Sequence, residues 1–309
     1  MRAIQIQQYG GVEKLQLQQV EKPAINADDI LVLVKSAAIN PVDWKIREGY
    51  LQAFIPYEMP FTLGWDVSGV VAEVGANVTE FNVGDEIFSR PAINRNGSYA
   101  DYIAVKADEA VLKSTKLDFA QAAALPLAGI TAWQCLVDVA DVQAGQRVLV
   151  HAGAGGVGHL AIQIAKAKGA IVVATASAAN QDLLVEFGAD QAVDYAKAPL
   201  SEQIEAVDIV VDTMGGDVQK QSWSLLKEGG ILVSVVDQPD ETIAKSHNAR
   251  SAFVFIEPSS RILNELNKLV ESDQLTPLIE HRFPLEQIAD AHLQSQSGRT
   301  RGKIVIDVN

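Results

Sequence analysis

Gly153, Gly155 and Gly158 stand in the order G-x-G-x-x-G inside "RVLVHAGAGGVGHLAIQIAKAKGAIVVATAS", which runs from Arg147 to Ser177. Glycines at that spacing suit an anion cradle. One makes a tight turn, one lets the backbone approach a pyrophosphate, and one lets helix and strand pack closely. The candidate cradle is Gly153, Ala154, Gly155, Gly156, Val157 and Gly158, with the N–H groups of a helix start facing the anion. A dinucleotide is therefore expected. Its identity is read further on, where an NAD site places a carboxylate for the ribose 2′-hydroxyl about twenty residues beyond the glycines. Here the chain reads Ala176, Ser177, Ala178, Ala179, Asn180, and no carboxylate appears before Asp182. A small hydroxyl accepts a 2′-phosphate that a carboxylate would repel. NADP(H) is the expected cofactor, with Ser177 at the phosphate.

The elements around the cradle must be strand, helix and strand. Arg147 to His151 is a short apolar run bounded by Gly145 and Gly153, as a buried strand should be. From Val157 the apolar residues Leu160, Ala161, Ile164 and Ala165 recur at helical spacing. Lys166, Lys168 and Gly169 then supply the cations and stop expected at a helix end. Ala170 to Thr175 is a second β-rich run. Further strands are expected at "VDIVVDTMGG" and "GGILVSVV", and a strongly amphipathic helix at "SSRILNELNKLVESDQL". Residues before about 115 read differently, with strand candidates "ILVLVKSAAI", "VSGVVAEVG" and "EIFS" among Gly, Pro and Asp turns. The terminal "KIVIDV" is a strand able to return to that first sheet.

Composition narrows the partners. The chain has 309 residues, Lys plus Arg 25 against Asp plus Glu 39, and a formal net charge of −14. Such a balance argues against nucleic acid and against an anionic membrane surface. No apolar stretch reaches spanning length and the N-terminus lacks a signal-peptide core, so a cytoplasmic protein is expected. Cys135 is alone. It excludes an intramolecular disulfide and reads as a small core residue. His151, His159, His247, His281 and His292 are scattered without ligand spacing.

Six stretches in order resemble the medium-chain dehydrogenase/reductase superfamily, in its zinc-independent quinone and enone reductase branch. They are "AAINPVDWKIREG", "PFTLGWDVSGVVAEVGANVTEFNVGDEIF", "NGSYADYIAV", "AAALPLAGITAW", "HAGAGGVG" and "SGRTRGKIVIDV". The resemblance implies an α/β chain: a GroES-like β-rich catalytic domain with an inserted Rossmann dinucleotide-binding domain and the active site in the cleft between them. The expected divisions are 1–117 for the first part of the catalytic domain, 118–262 for the NADP-binding domain and 263–309 for the return. It also implies that Thr131, Ser234 and the Val254–Phe255 backbone lie along the cofactor, and that Tyr195 meets its adenosine end. A homodimer is implied, with the β-rich run "SAFVFIE" as an edge that invites pairing.

Zinc-dependent members of the superfamily hold a catalytic ion with a Cys, a His and a third ligand. The matching positions here are Asn40, Trp65 and the stretch "LPLAG". Indole cannot ligate zinc and a neutral amide replaces thiolate poorly, so no metal is expected. An organic electrophile must then stabilise the enolate or phenolate left when hydride adds to an enone or a quinone. Asn40, Asp43 and Lys45 lie within six residues of "NPVDWKIREG". Lys45 brings a compact cation, Asn40 an amide donor, and Asp43 a carboxylate to orient Lys45 or meet the nicotinamide ribose. In the resembling quinone reductases a Tyr often takes the place of Lys45, whereas enone reductases carry Lys, which favours enone or alkenal substrates. Trp44, Tyr50, Tyr57 and Trp65 are candidates to line an apolar substrate pocket. The expected function is NADPH-dependent hydride transfer to a small apolar carbonyl or quinone. The alternative is an NADPH-binding redox sensor or scaffold without catalysis.

Overall fold

The computed structural model describes all 309 residues. They pack as two compact units, Met1–Leu127 with Glu257–Glu271 and Pro277–Asn309, and Ala128–Ile256 with Ser272–Thr276.

The first unit opens with β1 (Arg2–Ile6), β2 (Gln16–Gln19) and β3 (Asp29–Ile39), followed by α1 (Pro41–Arg47). Next come β4 (Phe61–Thr62), β5 (Val67–Val74), β6 (Glu86–Ser89), β7 (Tyr102–Lys106), β8 (Ala110–Leu112) and α2 (Phe119–Ala123). β3 is the spine of the unit. Its run of Ile, Leu, Val and Ala is buried on both faces, as suits a central strand. Asp118 caps α2 by accepting the Gln121 N–H at 2.6 Å. The Ser68 hydroxyl donates to the Phe119 carbonyl at 2.5 Å. The Ser68 bond, with the Leu127 N–H donated to Asp66 at 2.6 Å, holds residues 118–127 to the first unit, although the sequence assigned them to the inserted one.

α3 (Pro126–Trp133) leads into the second unit. There follow β9 (Arg147–Val150), α4 (Gly158–Ala167), β10 (Ile171–Ala176), α5 (Gln181–Glu186), β11 (Gln191–Asp194) and α6 (Leu200–Gln203). The unit continues with β12 (Val207–Asp212), α7 (Gly216–Ser222), β13 (Leu226–Ser234), α8 (Glu241–Ser246) and β14 (Arg250–Phe253). The six strands lie in the order β11-β10-β9-β12-β13-β14, and every pairing is parallel. Such strands are sandwiched between helices and read as continuous apolar runs. Leu149, Val173, Val210, Trp223 and Leu232 form the core beneath them. The order reverses between β9 and β12, and ligands of doubly wound sheets bind beyond the strand ends at such a point.

The chain ends back in the first unit with α9 (Ser260–Glu271), β15 (Ile279–Pro284), α10 (Ile288–Gln296) and β16 (Lys303–Asp307). α9 buries Ile262, Leu263, Leu266 and Val270. The expected division at 262 therefore falls inside one continuous amphipathic helix, which cannot be split without exposing that face. β16 runs antiparallel to β3, with Ile304 opposite Ile39, so the terminal strand does return to the first sheet. No helix is long and apolar enough to cross a membrane.

Candidate active site

β3 ends at Ile39 and α1 begins two residues later, so Asn40 is the hinge between them. Pro41 at the first helical position fixes φ where a missing N–H costs nothing. Asp43, three residues after the cap, accepts the Asn40 N–H at 2.7 Å, the carboxylate half of a capping box. Its same oxygen accepts the Tyr99 hydroxyl at 2.6 Å, and the other oxygen is buried without a partner. Burial pushes the Asp43 carboxyl up to about 7, against the hydrogen bonds from Tyr99 and Asn40 that favour its charge. Asp43 is thus wholly internal, with no bond to Lys45 and no surface for a ribose. The sequence suggested both roles because it shows spacing but not which way α1 is rolled.

The Asn40 side chain is 2 % exposed. Its Oδ1 accepts from Lys303 Nζ at 2.5 Å, and its Nδ2 donates to Asp66 Oδ2 at 2.8 Å. Lys303 Nζ also donates to Asp66 Oδ2 at 3.0 Å and to the Ile39 carbonyl at 3.1 Å. Asp66 Oδ1 accepts the Leu127 N–H at 2.6 Å. Lys303 and Asp66 were not singled out in the sequence. The available signal was a lone charge at the head of "KIVID" and another inside "LGWDVSG", each embedded in an apolar run.

Lys45 is half-buried. Its ammonium lies 5.8 Å from the centre of the Trp44 ring and makes no ion pair or hydrogen bond. Trp44 meets Tyr50 edge-on at 6.1 Å, and Tyr50 is 63 % exposed. α1 therefore brings Lys45, Trp44 and Tyr50 to one accessible patch. The other two pocket candidates lie elsewhere. Tyr57 donates to the Ile93 carbonyl at 2.9 Å and stacks on Phe61 at 4.2 Å. Trp65 is fully buried in the core of the unit with Phe61 and Ile304, so it lines no open surface.

In the second unit the glycine-rich turn joins β9 to α4. A Cβ on Gly158 would stand 2.2 Å from the Ala152 carbonyl oxygen, and one on Gly153 would stand 2.8 Å from Leu184 Cδ2. Backbone blocks a side chain at position 158, which must be glycine, while at 153 the obstacle is the tip of the Leu184 side chain. The N–H groups of Ala154, Gly156, Val157 and Gly158 have no acceptor within the chain. They are the orphan donors that a helix start offers to an anion, so the turn fits a pyrophosphate. Parallel pairing sets Ala176 beside Asp194, which brings Ser177 and Tyr195 to neighbouring strand ends. Tyr195 is 60 % exposed, and Lys197 just beyond it is exposed.

The remaining cofactor candidates follow the same edge. Asp212, at the end of β12, accepts the N–H groups of Met214 and Gly215, both at 2.9 Å. Its second oxygen accepts the Ser234 hydroxyl at 2.8 Å and the Gln219 amide at 3.0 Å. Ser234 is thereby a buried anchor for the β12 and β13 ends. The Ser234 carbonyl accepts the Val254 N–H at 2.9 Å, fixing the backbone that runs on to half-exposed Phe255. Thr131 is buried on α3. Cys135 is fully buried and its thiol is pushed up to about 12 by burial, consistent with a small, inert core residue. His151 is likewise internal, held neutral by burial to about 4.

Two stretches of the chain match known families. Residues 26–115 fit the alcohol dehydrogenase GroES-like domain, and residues 187–306 fit the zinc-binding dehydrogenase family. The NADPH-dependent alkenal/one oxidoreductase of Arabidopsis thaliana chloroplasts is 36 % identical over 318 residues, spanning 99 % of this chain and 79 % of that protein. The solved quinone oxidoreductase of Coxiella burnetii is 38 % identical with a TM-score of 0.94, covering 100 % of this chain and 99 % of its own. A mycobacterial protein solved in complex with NADPH is 27 % identical with a TM-score of 0.89, covering 99 % of each chain. The chain belongs to the medium-chain dehydrogenase/reductase superfamily, in its zinc-independent quinone oxidoreductase branch.

Proposed function

We propose that this protein is an NADPH-dependent, metal-independent reductase of α,β-unsaturated carbonyls or quinones, with enones and alkenals favoured. The observation that carries the reading is the Lys45 ammonium, which is accessible on α1 and makes no hydrogen bond or ion pair in the chain. Cofactor chemistry is supported by the four unpaired N–H groups at the glycine-rich turn. When bound, the nicotinamide supplies the hydride. The chain's part is to hold the charge that develops on the carbonyl oxygen. Lys45 supplies a cation for it, and the second amide hydrogen of Asn40 is a further donor. The donor set at the superfamily's zinc position does not fit an ion. Asn40 Oδ1 is taken by the Lys303 ammonium at 2.5 Å, a cation that repels a metal, and Trp65 is a donor only. No step is routed through a metal.

NADPH is favoured over NADH because β10 runs into Ser177 with no carboxylate before Asp182, and the exposed Lys197 follows Tyr195 on the neighbouring strand end. A homodimer is proposed through β14, which is paired on one side only. The test of the function is NADPH oxidation with a panel of enones, alkenals and quinones. Turnover of at least one class is expected. Tight NADPH binding with no turnover of any would leave a cofactor-binding protein without reductase activity.

A further inference from the structure

The strand that closes the first sheet carries a lysine into the polar end of α1, and nothing in the proposed chemistry uses it. Lys303 is 3 % exposed and Asp66 is wholly buried. Burying an ion pair is a poor route to stability, because desolvation offsets the attraction and apolar side chains of equal volume do as well. The pair therefore invites a reason in what it touches. All three ammonium hydrogens have acceptors: Asn40 Oδ1 at 2.5 Å, Asp66 Oδ2 at 3.0 Å and the Ile39 carbonyl at 3.1 Å. Asp66 in turn takes one hydrogen of the Asn40 amide at 2.8 Å.

The consequence for Asn40 is specific. With a cation on its oxygen and an anion on one of its hydrogens, the amide cannot flip. A cation at the oxygen also draws electron density from nitrogen, so the remaining N–H becomes a stronger donor. That hydrogen has no acceptor in the chain, although the side chain is 2 % exposed. It is an oriented, polarised and uncommitted donor one residue before α1, the helix that carries Lys45.

We propose that Lys303 and Asp66 are positioning residues that lock and polarise the Asn40 amide as an oxyanion donor for the reduction. This rests on the reductase reading given above. Lys303 touches no substrate and acts only through Asn40, so its effect must disappear when Asn40 is gone.

The test is a double-mutant cycle on the full chain with NADPH and the best carbonyl substrate of the panel. Asn40→Ala should lower kcat by about 10² or more, as removal of one oxyanion donor does. Lys303→Met should lower kcat by at least tenfold while KM and the NADPH Kd stay within about twofold. The double variant should be no slower than Asn40→Ala alone, a full coupling of the two sites. Lys303→Gln, which can still donate to Asn40 without the charge, should fall between wild type and Lys303→Met, and it serves if the methionine variant does not fold. A second readout needs no turnover. In protein labelled with ¹⁵N-asparagine, the Asn40 side-chain amide signals, assigned with Asn40→Ala, should shift upfield and exchange faster in the Lys303 variants. Additive rate losses, or unchanged Asn40 signals, overturn the proposal. If the wild type reduces none of the panel, the reductase reading fails separately, and the amide signals still decide whether Lys303 orders Asn40.

Discussion

The Tyr99 hydroxyl donates to Asp43 at 2.6 Å, while the other oxygen of that fully buried carboxyl has no partner. The first unit therefore holds a carboxyl whose charged form is only half supported. Burial outweighs the two hydrogen bonds and moves its titration up to about 7, from an ordinary 3.8.

Between about pH 4 and pH 7 the folded chain keeps a proton on Asp43 that the unfolded chain has released. The group's contribution is fullest at low pH and declines as pH rises to about 7, a change on the order of 4 kcal/mol by linkage. Asp43→Asn keeps an oxygen for Tyr99 and Asn40 and cannot ionise. Urea unfolding of both proteins from pH 4 to pH 8 should show the wild type losing ground to the variant as pH rises. Parallel stability curves would contradict the assignment.

The cofactor preference rests on the strand ends. Ala176 pairs with Asp194, so Ser177 and Tyr195 flank one spot, and the first carboxylate along the chain, Asp182, has already entered α5. NADPH should bind more tightly than NADH. Ser177→Asp should weaken NADPH by at least tenfold through repulsion of the 2′-phosphate and leave NADH less affected. Fluorescence titrations give both dissociation constants, and a wild-type preference for NADH would sink the reading.

Assembly is expected from the sheet edge. β14 has a partner on one side only, β13, and Phe253 and Phe255 at its end are 39 % and 51 % exposed. An open apolar edge recruits another strand, and two copies meeting there across a two-fold axis would close it. Light scattering at micromolar concentration should give a dimer. Phe253→Lys places two like charges near that axis and should shift the protein toward monomer. A wild-type monomer would refute the interface.

What the sequence made legible was local. The glycine spacing, the flanking strand and helix and the amphipathic face of α9 each sit within one contiguous run, so periodicity exposes them. The contacts of Asn40 are not local. Lys303 lies 263 positions away and reaches Asn40 only because Ile304 pairs with Ile39, a register that long-range packing sets. The rolled orientation of α1 is equally hidden. Asn40, Asp43 and Lys45 look alike as polar residues of one segment, yet burial turns Asp43 inward to Tyr99 and leaves Lys45 accessible.

That difference between neighbours fixes the last expectation. Of the polar residues opening α1, Lys45 alone combines positive charge, accessibility and freedom from hydrogen bonds and ion pairs. A full positive charge stabilises a developing oxyanion more than a neutral amide does. Lys45→Ala should lower kcat by about 10² or more, in the range for loss of one oxyanion donor. The NADPH Kd should barely change, since the glycine-rich turn belongs to the other unit. EDTA should leave the rate untouched, because Asn40 is committed to a lysine and Trp65 offers no lone pair to a metal. Steady-state kinetics on Lys45→Ala and Asn40→Ala side by side separate the two donors. If Lys45→Ala keeps near-full activity while Asn40→Ala does not, the oxyanion is held by the amide alone and the ammonium of Lys45 has no part in the chemistry.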